Sequence, residues 1–193
     1  MMVAQDIERF GRAVFEPEKL AVPPIDLLWD SQAGDWHVLH VKSRQEKALA
    51  EDLRAMQLPY FLPLRRLRRT HGGRRVWVEE VMFPSYVFLR GKVEDAYRAD
   101  RTRRVANILR VADQSDLDWE LRNLHIAIAG NSQLDPFPTL RDGVKVEVRS
   151  GPMQGMQGFV SNRVSLERIV LQVNMLGSAV SLEIDGTLVD VLD

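Results

Sequence analysis

The chain has 193 residues, of which 45% are hydrophobic and 27% charged, and it contains no cysteine. This composition is ordinary for a soluble globular protein of one medium or two small domains, and it excludes disulfides, thiolate metal sites and cysteine nucleophiles. No apolar run approaches the ~20 residues of a membrane span, and residues 1–10 lack the apolar core of a secretory signal, so we expect a cytoplasmic protein.

The net charge of −1 hides an uneven distribution along the chain. Residues 1–33 carry −3 and residues 140–193 carry −2, whereas residues 34–139 carry +4. Six arginines of this middle part fall within eleven positions: Arg65, Arg66, Arg68, Arg69, Arg74 and Arg75. Such a cluster attracts phosphate groups. Alternatively, these arginines form a solvated charged face that binds no ligand.

Residues 1–33 are predicted to be an N-terminal extension. Apolar residues recur there at helical spacing, namely Ile7, Phe10, Val14 and Phe15. Prolines then interrupt regular structure at Pro17, Pro23 and Pro24. The extension is either a flexible tail or a partner-binding segment anchored by Ile25, Leu27, Leu28 and Trp29.

Residues 34–130 begin with a predicted strand over residues 36–41. Ser43 and Glu46 form a capping-box pattern ahead of an amphipathic helix that Pro59 ends. Two strands of a hairpin follow over residues 60–69 and 74–80, because the turn between them contains two glycines that permit positive φ.

A strand over residues 84–90, a helix over 93–100 and a strand over 105–111 come next. Ser115 and Asp118 repeat the capping pattern before a second amphipathic helix, for which Gly130 is the expected C-cap. The order β-α-β-β-β-α-β-α predicts an α+β fold in which helices flank a mostly antiparallel sheet.

Residues 131–139 have the polar, proline-containing composition of a linker. In residues 140–193 the apolar period changes to two, which predicts five short strands in a small closed barrel. This barrel opens with an alternating strand and a loop that contains Gly151, Gly155 and Gly158, whose role we expect to be structural. We expect the linker to tether the barrel to the first domain and to leave it free to recruit a partner.

The loop and its flanking strands resemble the KOW motif. Trp36, the block Phe83-Pro84-Ser85-Tyr86-Val87-Phe88 and the pair Arg104-Val105 precede it in the order and spacing of one family. Over about residues 35–193 the chain thus resembles the NusG family of transcription elongation factors, including the specialised paralogues typified by RfaH. Ser85 stands where the family usually has Gly or Asn, and Arg103-Arg104 where many members have Arg-Gly. These departures and the acidic extension favour a specialised paralogue.

The resemblance implies that the first domain binds the clamp of the largest RNA polymerase subunit, suppresses pausing and affects antitermination or termination. The implied polymerase contacts are His40, Phe83, Pro84, Tyr86, Phe88 and Ile108. Because strand residues alternate between faces, Val87 and Leu89 are the expected core set and the aromatic set the exposed one; the opposite assignment of strand aromatics to the core stays open. The KOW barrel is implied to recruit Rho or a small-subunit ribosomal protein through Phe159, Ile169, Met175 and Leu176, although Phe159 and Ile169 are also core candidates.

The same resemblance places the six arginines of residues 65–75 near the non-template DNA strand. Guanidinium groups with His71 and Trp77 nearby suit phosphates and base stacking on single strands. The His-Thr-Thr contact of RfaH-like members is absent from residues 96–101, where Arg98 and Arg101 are either replacements or part of a solvated helix face.

Catalysis finds little support in the sequence. The four histidines lack metal-ligand spacing, and no phosphate-binding loop or nucleophile signature is present, so we expect a protein without enzymatic activity, metal or cofactor. We also expect it to be a monomer. The alternative function is an RNA-binding KOW protein of the ribosome or translation apparatus. The −2 charge of residues 140–193 argues against it, because such proteins neutralise many phosphates.

Overall fold

The computed structural model describes residues 21–22, 28–29, 33–130, 134–137, 143–160 and 168–192. The elements in chain order are β1 Ala21–Val22, β2 Asp35–Val41, α1 Glu46–Ala55, β3 Tyr60–Phe61, β4 Leu64–His71, β5 Arg74–Val81, β6 Tyr86–Gly91, α2 Val93–Asp100, β7 Val105–Leu109, α3 Gln114–Ala129, β8 Asp135–Phe137, β9 Val144–Val148, β10 Gln157–Val160, β11 Arg168–Val173, β12 Ser178–Glu183 and β13 Val189–Val191. Within the described ranges, no helix has the length and apolar character needed to cross a membrane.

The first sheet is antiparallel, with strand order β1-β3-β6-β2-β7. Val38 lies opposite Phe88, and Leu39 lies opposite Val87, so these two pairs occupy opposite faces of the sheet. Helix α3 covers the Val38 and Phe88 face, while α1 and α2 cover the Leu39 and Val87 face. Helices on both sides of an antiparallel sheet confirm the predicted α+β arrangement of this part of the chain.

Strands β4 and β5 form a separate two-stranded ribbon. Gly72 and Gly73 turn the chain with φ of 55° and 77°, so the predicted hairpin is confirmed. The single strand predicted over residues 60–69 is wrong, because it is divided between β3 in the first sheet and β4 in the ribbon. The division falls at Pro63, which has no backbone N–H for a sheet ladder.

Helix α1 does not begin with the predicted capping box. Its N-cap is Gln45, and no side chain caps it. Arg44, with φ of 61°, turns the chain just before the helix. The buried carboxylate of Glu46 instead accepts the backbone N–H of Ser85 at 2.7 Å, and so links the helix to the start of β6.

Helix α3 also begins differently from the prediction. Asp113 is its N-cap and accepts the N–H of Asp116 at 2.9 Å. Asp118, predicted to act in the cap, instead accepts the indole N–H of Trp36 at 2.9 Å and a guanidinium N–H of Arg90 at 2.8 Å. Both predicted capping carboxylates therefore connect a helix to the sheet.

The described parts of the N-terminal extension belong to the first unit. Ala21–Val22 pair with β3, and Leu28 is fully buried. Trp29 has its ring centroid 5.7 Å from that of Trp36 and 5.9 Å from that of Phe61. Leu28 and Trp29 are thus core residues rather than partner anchors. The other predicted anchors, Ile25 and Leu27, and the helix over residues 7–15 lie outside the described residues.

The second sheet is antiparallel, with strand order β13-β9-β10-β11-β12-β8. Five of its strands come from residues 140–193, as predicted. The sixth, β8, comes from the predicted linker, where Leu134 is also buried; Pro136 is tolerated because β8 is an edge strand. The described strands form an open sheet between β13 and β8, so the predicted closed barrel is not confirmed.

Helix α3 lies between the two sheets. Leu117, Leu121 and Leu124 are buried in one cluster with core residues of both. On the second-sheet side, Asn123 accepts the backbone N–H of Gln157, and Glu120 accepts that of Asn174 at 3.1 Å. The second sheet is therefore docked on α3, and the expectation of a free, tethered domain is wrong for this structure.

Ser85 has a left-handed backbone with φ of 69°, a conformation that costs a non-glycine residue roughly 1–2 kcal/mol. We predict that Ser85→Gly raises the free energy of unfolding by up to about 1 kcal/mol, because relief of this strain exceeds the entropy that glycine gains in the unfolded chain. Urea denaturation measures the change. A variant less stable than the parent contradicts the prediction.

Burial raises the pKa of Glu120 to about 7, and the nearby Asp116 carboxylate adds to the rise against the opposing hydrogen bond from Asn174. Because the pKa of Glu120 is higher in the folded than in the unfolded state, the protonated side chain contributes its full stability below about pH 4.5. This contribution is lost as the pH rises through about 7. We predict that Glu120→Gln, which keeps the acceptor oxygen, matches the parent at pH 4.5 and exceeds it in stability by roughly 1–3 kcal/mol at pH 8.

Urea denaturation between pH 4.5 and 8 measures this difference. Glu94→Gln is the matched control, because Glu94 is exposed at the first turn of α2 and its replacement leaves the pH profile unchanged. Identical profiles for the parent and Glu120→Gln contradict the account.

Candidate interaction surfaces

The turn before β6 presents a small aromatic surface. Two backbone hydrogen bonds fix Ser85: its N–H binds Glu46, and its carbonyl oxygen accepts the N–H of Val41 at 2.8 Å. Pro84 on one side is exposed and Tyr86 on the other is half-buried. The ring of His40, which lies opposite Tyr86 on β2, has its centroid 5.4 Å from that of the tyrosine. His40, Pro84 and Tyr86 together are called the Tyr86 surface.

Phe83 and Phe88 do not belong to this exposed surface. They are 3% and 0% exposed and their rings meet edge to face, with centroids 6.4 Å apart. The expectation that the aromatic set of this strand is the exposed one is therefore wrong for Phe88, because α3 packs against its face. The same buried cluster also lies beneath Tyr86.

Ile108 is separated from the Tyr86 surface by the sheet. It pairs with Leu39, whereas the neighbouring Asn107 pairs with His40. Ile108 consequently packs with the core on the α1 and α2 side, and the expectation of one patch that contains both Ile108 and Tyr86 is wrong. Asn107 is the exposed residue beside His40. Its proximity depends on strand register, which the sequence pattern of β7 alone does not reveal.

The ribbon has two chemically different faces, because residues directly opposite each other share a face. One face, called the Trp77 face, contains Arg66, Arg68, Thr70, Arg75, Trp77 and Glu79. The other, called the Val78 face, contains Arg65, Leu67, Arg69, Arg74, Val76, Val78 and Glu80. The six predicted nucleic-acid contacts are thus divided equally between the two faces.

Glu80 forms salt bridges with two arginines of the Val78 face. It accepts a hydrogen bond from Arg65 Nε at 2.9 Å and another from Arg69 at 2.9 Å. The hydrogen bond from Arg65 is the main cause that lowers the pKa of Glu80. Arg65 also lies 3.8 Å from Asp135. Much of the positive charge on this face is therefore balanced within the protein.

The Trp77 face keeps its cations available. Trp77 is 62% exposed, and the guanidinium carbon of Arg66 lies 5.6 Å from its ring centroid. In the part of the chain that the structure describes, Arg68 and Arg75 make no salt bridge. This face combines free cations with an exposed indole. The side chain of His71, the other predicted stacking residue, lies outside the described part.

The predicted second contact in residues 96–101 has little free charge. Ala96 and Ala99 are buried under the sheet. Arg98 donates to Asp95 at 3.0 Å and to the carbonyl of Met56 at 3.3 Å, so it is held within the protein. Arg101 and the ring of Tyr97 are exposed.

The predicted partner residues of the second sheet do not form one exposed surface. Ile169 is fully buried in the core, which removes it as a direct contact. Phe159 is half-buried, with its ring centroid 6.0 Å from that of Trp119 on α3. Leu176 is half-buried, and the Met175 side chain lies outside the described part.

Metal binding and the polar contacts of α3 are the remaining features of these surfaces. Among the described residues, no cluster of three or more His, Asp or Glu side chains could hold a metal ion.

The contact of α3 with the second sheet includes Trp119. Lys145 Nζ lies 4.6 Å from the ring centroid of Trp119, and Trp119 donates its indole N–H to Gln157 at 3.2 Å. The contact of α3 with the second sheet is thus polar as well as apolar.

Comparison with known proteins connects these features to a family. Residues 34–118 match the family model described as "NusG: Transcription termination factor nusG". No curated protein matches the chain. A Thermotoga maritima NusG structure, titled "Domain interaction in Thermotoga maritima NusG", has 16% sequence identity and a TM-score of 0.39, and the match covers 82% of this chain and 97% of that one. The structure titled "Crystal Structure of MjSpt4:Spt5 complex conformation B" has 15% identity and a TM-score of 0.28, with the same coverage of 82% and 97%.

The matched range runs from Gly34 to Asp118 and includes β2 to β7, α1, α2 and the beginning of α3. The turn that carries the Tyr86 surface and the ribbon both lie within it. By this match, residues 34–118 of the chain are similar to the NusG family of transcription factors.

Proposed function

We propose that this protein is a cytoplasmic transcription elongation factor that binds the clamp of the largest RNA polymerase subunit through the Tyr86 surface. Binding suppresses pausing or modulates termination, and the second sheet, as a KOW domain, recruits a further partner such as Rho or a small-subunit ribosomal protein. The protein acts as a monomer. The observation that carries the proposal is the half-buried pair of His40 and Tyr86, whose rings meet beside a turn that hydrogen bonds fix within the family-matched range.

Three features support the Tyr86 surface as the polymerase contact. The turn is fixed by Glu46, so little conformational entropy is lost on binding. Tyr86 presents an apolar ring with a polar hydroxyl, which is common among the residues that dominate interface energies. Phe83 and Phe88 fill the core beneath it, and they act as supports rather than direct contacts.

The physical basis of the proposed activity is a shift between two states of the polymerase. A factor favours the closed clamp only to the extent that it binds that state more tightly. A coupling free energy of about 1–3 kcal/mol changes the balance roughly 5- to 150-fold. A modest difference in affinity for the two clamp states is therefore sufficient for a large effect on pausing.

Recruitment by the second sheet depends on α3. Phe159, the predicted partner contact nearest the helix, packs against Trp119. A partner that uses the Phe159 ring must take the place of α3, so we propose that recruitment separates the second sheet from the helix. Leu176 on the 3-10 turn after β11 is half-buried, and we propose it as a second contact of the recruited partner.

We predict that Tyr86→Ala weakens binding to purified RNA polymerase by about 30-fold or more, the effect of losing an interface residue worth at least ~2 kcal/mol. The fold is retained, because Tyr86 is only half-buried. Fluorescence anisotropy of the labelled chain titrated with polymerase measures the affinity, and circular dichroism verifies the fold.

Val93→Ala is the control. It removes an exposed apolar side chain at the start of α2, outside residues 96–101, and affinity remains within about threefold of the parent. Equal binding of Tyr86→Ala and the parent contradicts the interface assignment. A parent chain that binds ribosomal subunits but not polymerase contradicts the proposed function and favours the translation alternative.

A further inference from the structure

The contact between α3 and the second sheet contains a buried carboxyl group, that of Glu120. The residue is 4% exposed, and its Oε1 accepts the backbone N–H of Asn174 at 3.1 Å. Among the described residues Glu120 forms no salt bridge. An ionised carboxylate at this place therefore loses most of its hydration without gaining a cation, which is costly for the charged form.

The elements that pack against Glu120 do not offset this cost. Residues 169–182, which run from β11 into β12, contain no Asp, Glu, Lys, Arg or His. On α3 itself, the Asp116 carboxylate lies one turn before Glu120 and opposes its ionisation. Burial and the neighbouring negative charge both favour the protonated side chain.

The charged groups of β9 have other partners in the same contact. Lys145 Nζ lies over the ring of Trp119, and Glu147 accepts a hydrogen bond from the side chain of Gln157 at 2.6 Å. Neither group supplies a positive charge that keeps Glu120 ionised while the second sheet is docked.

We propose that Glu120 is a pH-sensitive switch for the docking of the second sheet on α3. The protonated side chain stays in the contact and keeps the sheet docked. The ionised side chain regains water only when the sheet separates from α3, so ionisation favours separation. The switch concerns a contact within this chain, whereas its consequence for partner recruitment rests on the proposed function, in which the partner takes the place of α3 at Phe159.

The direction and size of the effect follow from linkage between proton binding and docking. Burial is the largest cause that raises the pKa of Glu120 to about 7 in the docked structure, and the ordinary value of 4.5 applies once water reaches the carboxyl group. Docking is therefore strongest below pH 4.5 and weakens as the pH rises through about 7. Between pH 5 and pH 8 the docking equilibrium weakens about 70-fold.

His125, also on α3, has a pH effect of opposite sign. Its ring centroid lies 5.3 Å from that of Trp29 and 6.1 Å from that of Phe61, on the side of the first sheet. Burial lowers the pKa of His125, so its protonation loosens the packing as the pH falls. A contact that loosens as the pH rises therefore indicates Glu120 and not His125.

The test measures amide protection factors of the 193-residue chain by NMR hydrogen exchange between pH 5 and pH 8, with the intrinsic pH dependence of exchange divided out. The N–H of Gln157 donates to Asn123, so it reports the opening of the contact without bonding to the titrating group. We expect its protection factor to fall about 70-fold from pH 5 to pH 8. A protection factor that is constant or rises over this range overturns the switch.

The urea dependence of exchange distinguishes separation from unfolding. Separation of the second sheet from α3 exposes less surface than unfolding does, so exchange of the Gln157 amide depends less steeply on urea than exchange of the β11 amides. Equal dependence at pH 8 shows that ionisation acts through unfolding, and it contradicts the proposal.

Three variants assign the pH response. Glu120→Gln keeps an acceptor oxygen but cannot ionise, and we expect the same Gln157 protection at pH 5 and pH 8. Glu147→Gln is the matched control, because it removes a carboxylate from the second-sheet side of the same contact and retains the fall of the parent. Asp116→Asn removes the neighbouring negative charge and reduces the fall, because the pKa of Glu120 decreases.

The variants also give the contradicting outcomes. A fall in Glu120→Gln equal to that of the parent overturns the assignment to Glu120. Should Glu120→Gln not fold, Asp116→Asn decides, and a fall equal to that of the parent contradicts the proposal. These measurements contain no polymerase, so their failure and that of the Tyr86→Ala experiment are distinguishable.

Discussion

Helix α3 is the element on which the rest of the structure depends, because both sheets pack against it. Leu117, Leu121 and Leu124 fill the core, while Glu120 and Asn123 bind backbone amides of the second sheet. A helix with contacts on most of its circumference is a buried helix. Its position also decides which surfaces are available: it covers Phe88 and the Phe159 ring, and it leaves the Tyr86 surface and the ribbon exposed.

Local periodicity was sufficient to predict most helices and strands. The two glycines of the ribbon turn and the alternating valines of β9 specify their own conformation through nearest neighbours. The capping predictions were wrong because Glu46 and Asp118 have partners far along the chain: Ser85 is 39 residues from Glu46, and Trp36 is 82 residues from Asp118. A carboxylate near a helix start looks the same in sequence whether it binds its own helix or a distant strand.

The candidate site was predictable as a segment but not as a surface. The block around Ser85 does contain a turn, and the alternation along the strand separated Val87 from Phe88 as the structure does. Whether Phe88 is exposed depends on the face that α3 covers, and whether Ile108 lies beside Tyr86 depends on register between β2 and β7. The same limit applies to the six arginines, because only the pairing of β4 with β5 shows which of them share a face with Trp77. Long-range packing supplies this information.

Amide hydrogen exchange measured by NMR on the full-length chain tests the docking of the second sheet on α3 most directly. The N–H groups of Gln157 and Asn174 donate to Asn123 and Glu120 of the helix, whereas the N–H groups of β11 and β12 pair within their own sheet. If the sheet is docked, the Gln157 and Asn174 amides exchange slowly together with the β11 and β12 amides. Exchange of Gln157 and Asn174 at the rate of an unstructured peptide, while β11 and β12 stay protected, would show a folded second sheet that is not bound to α3.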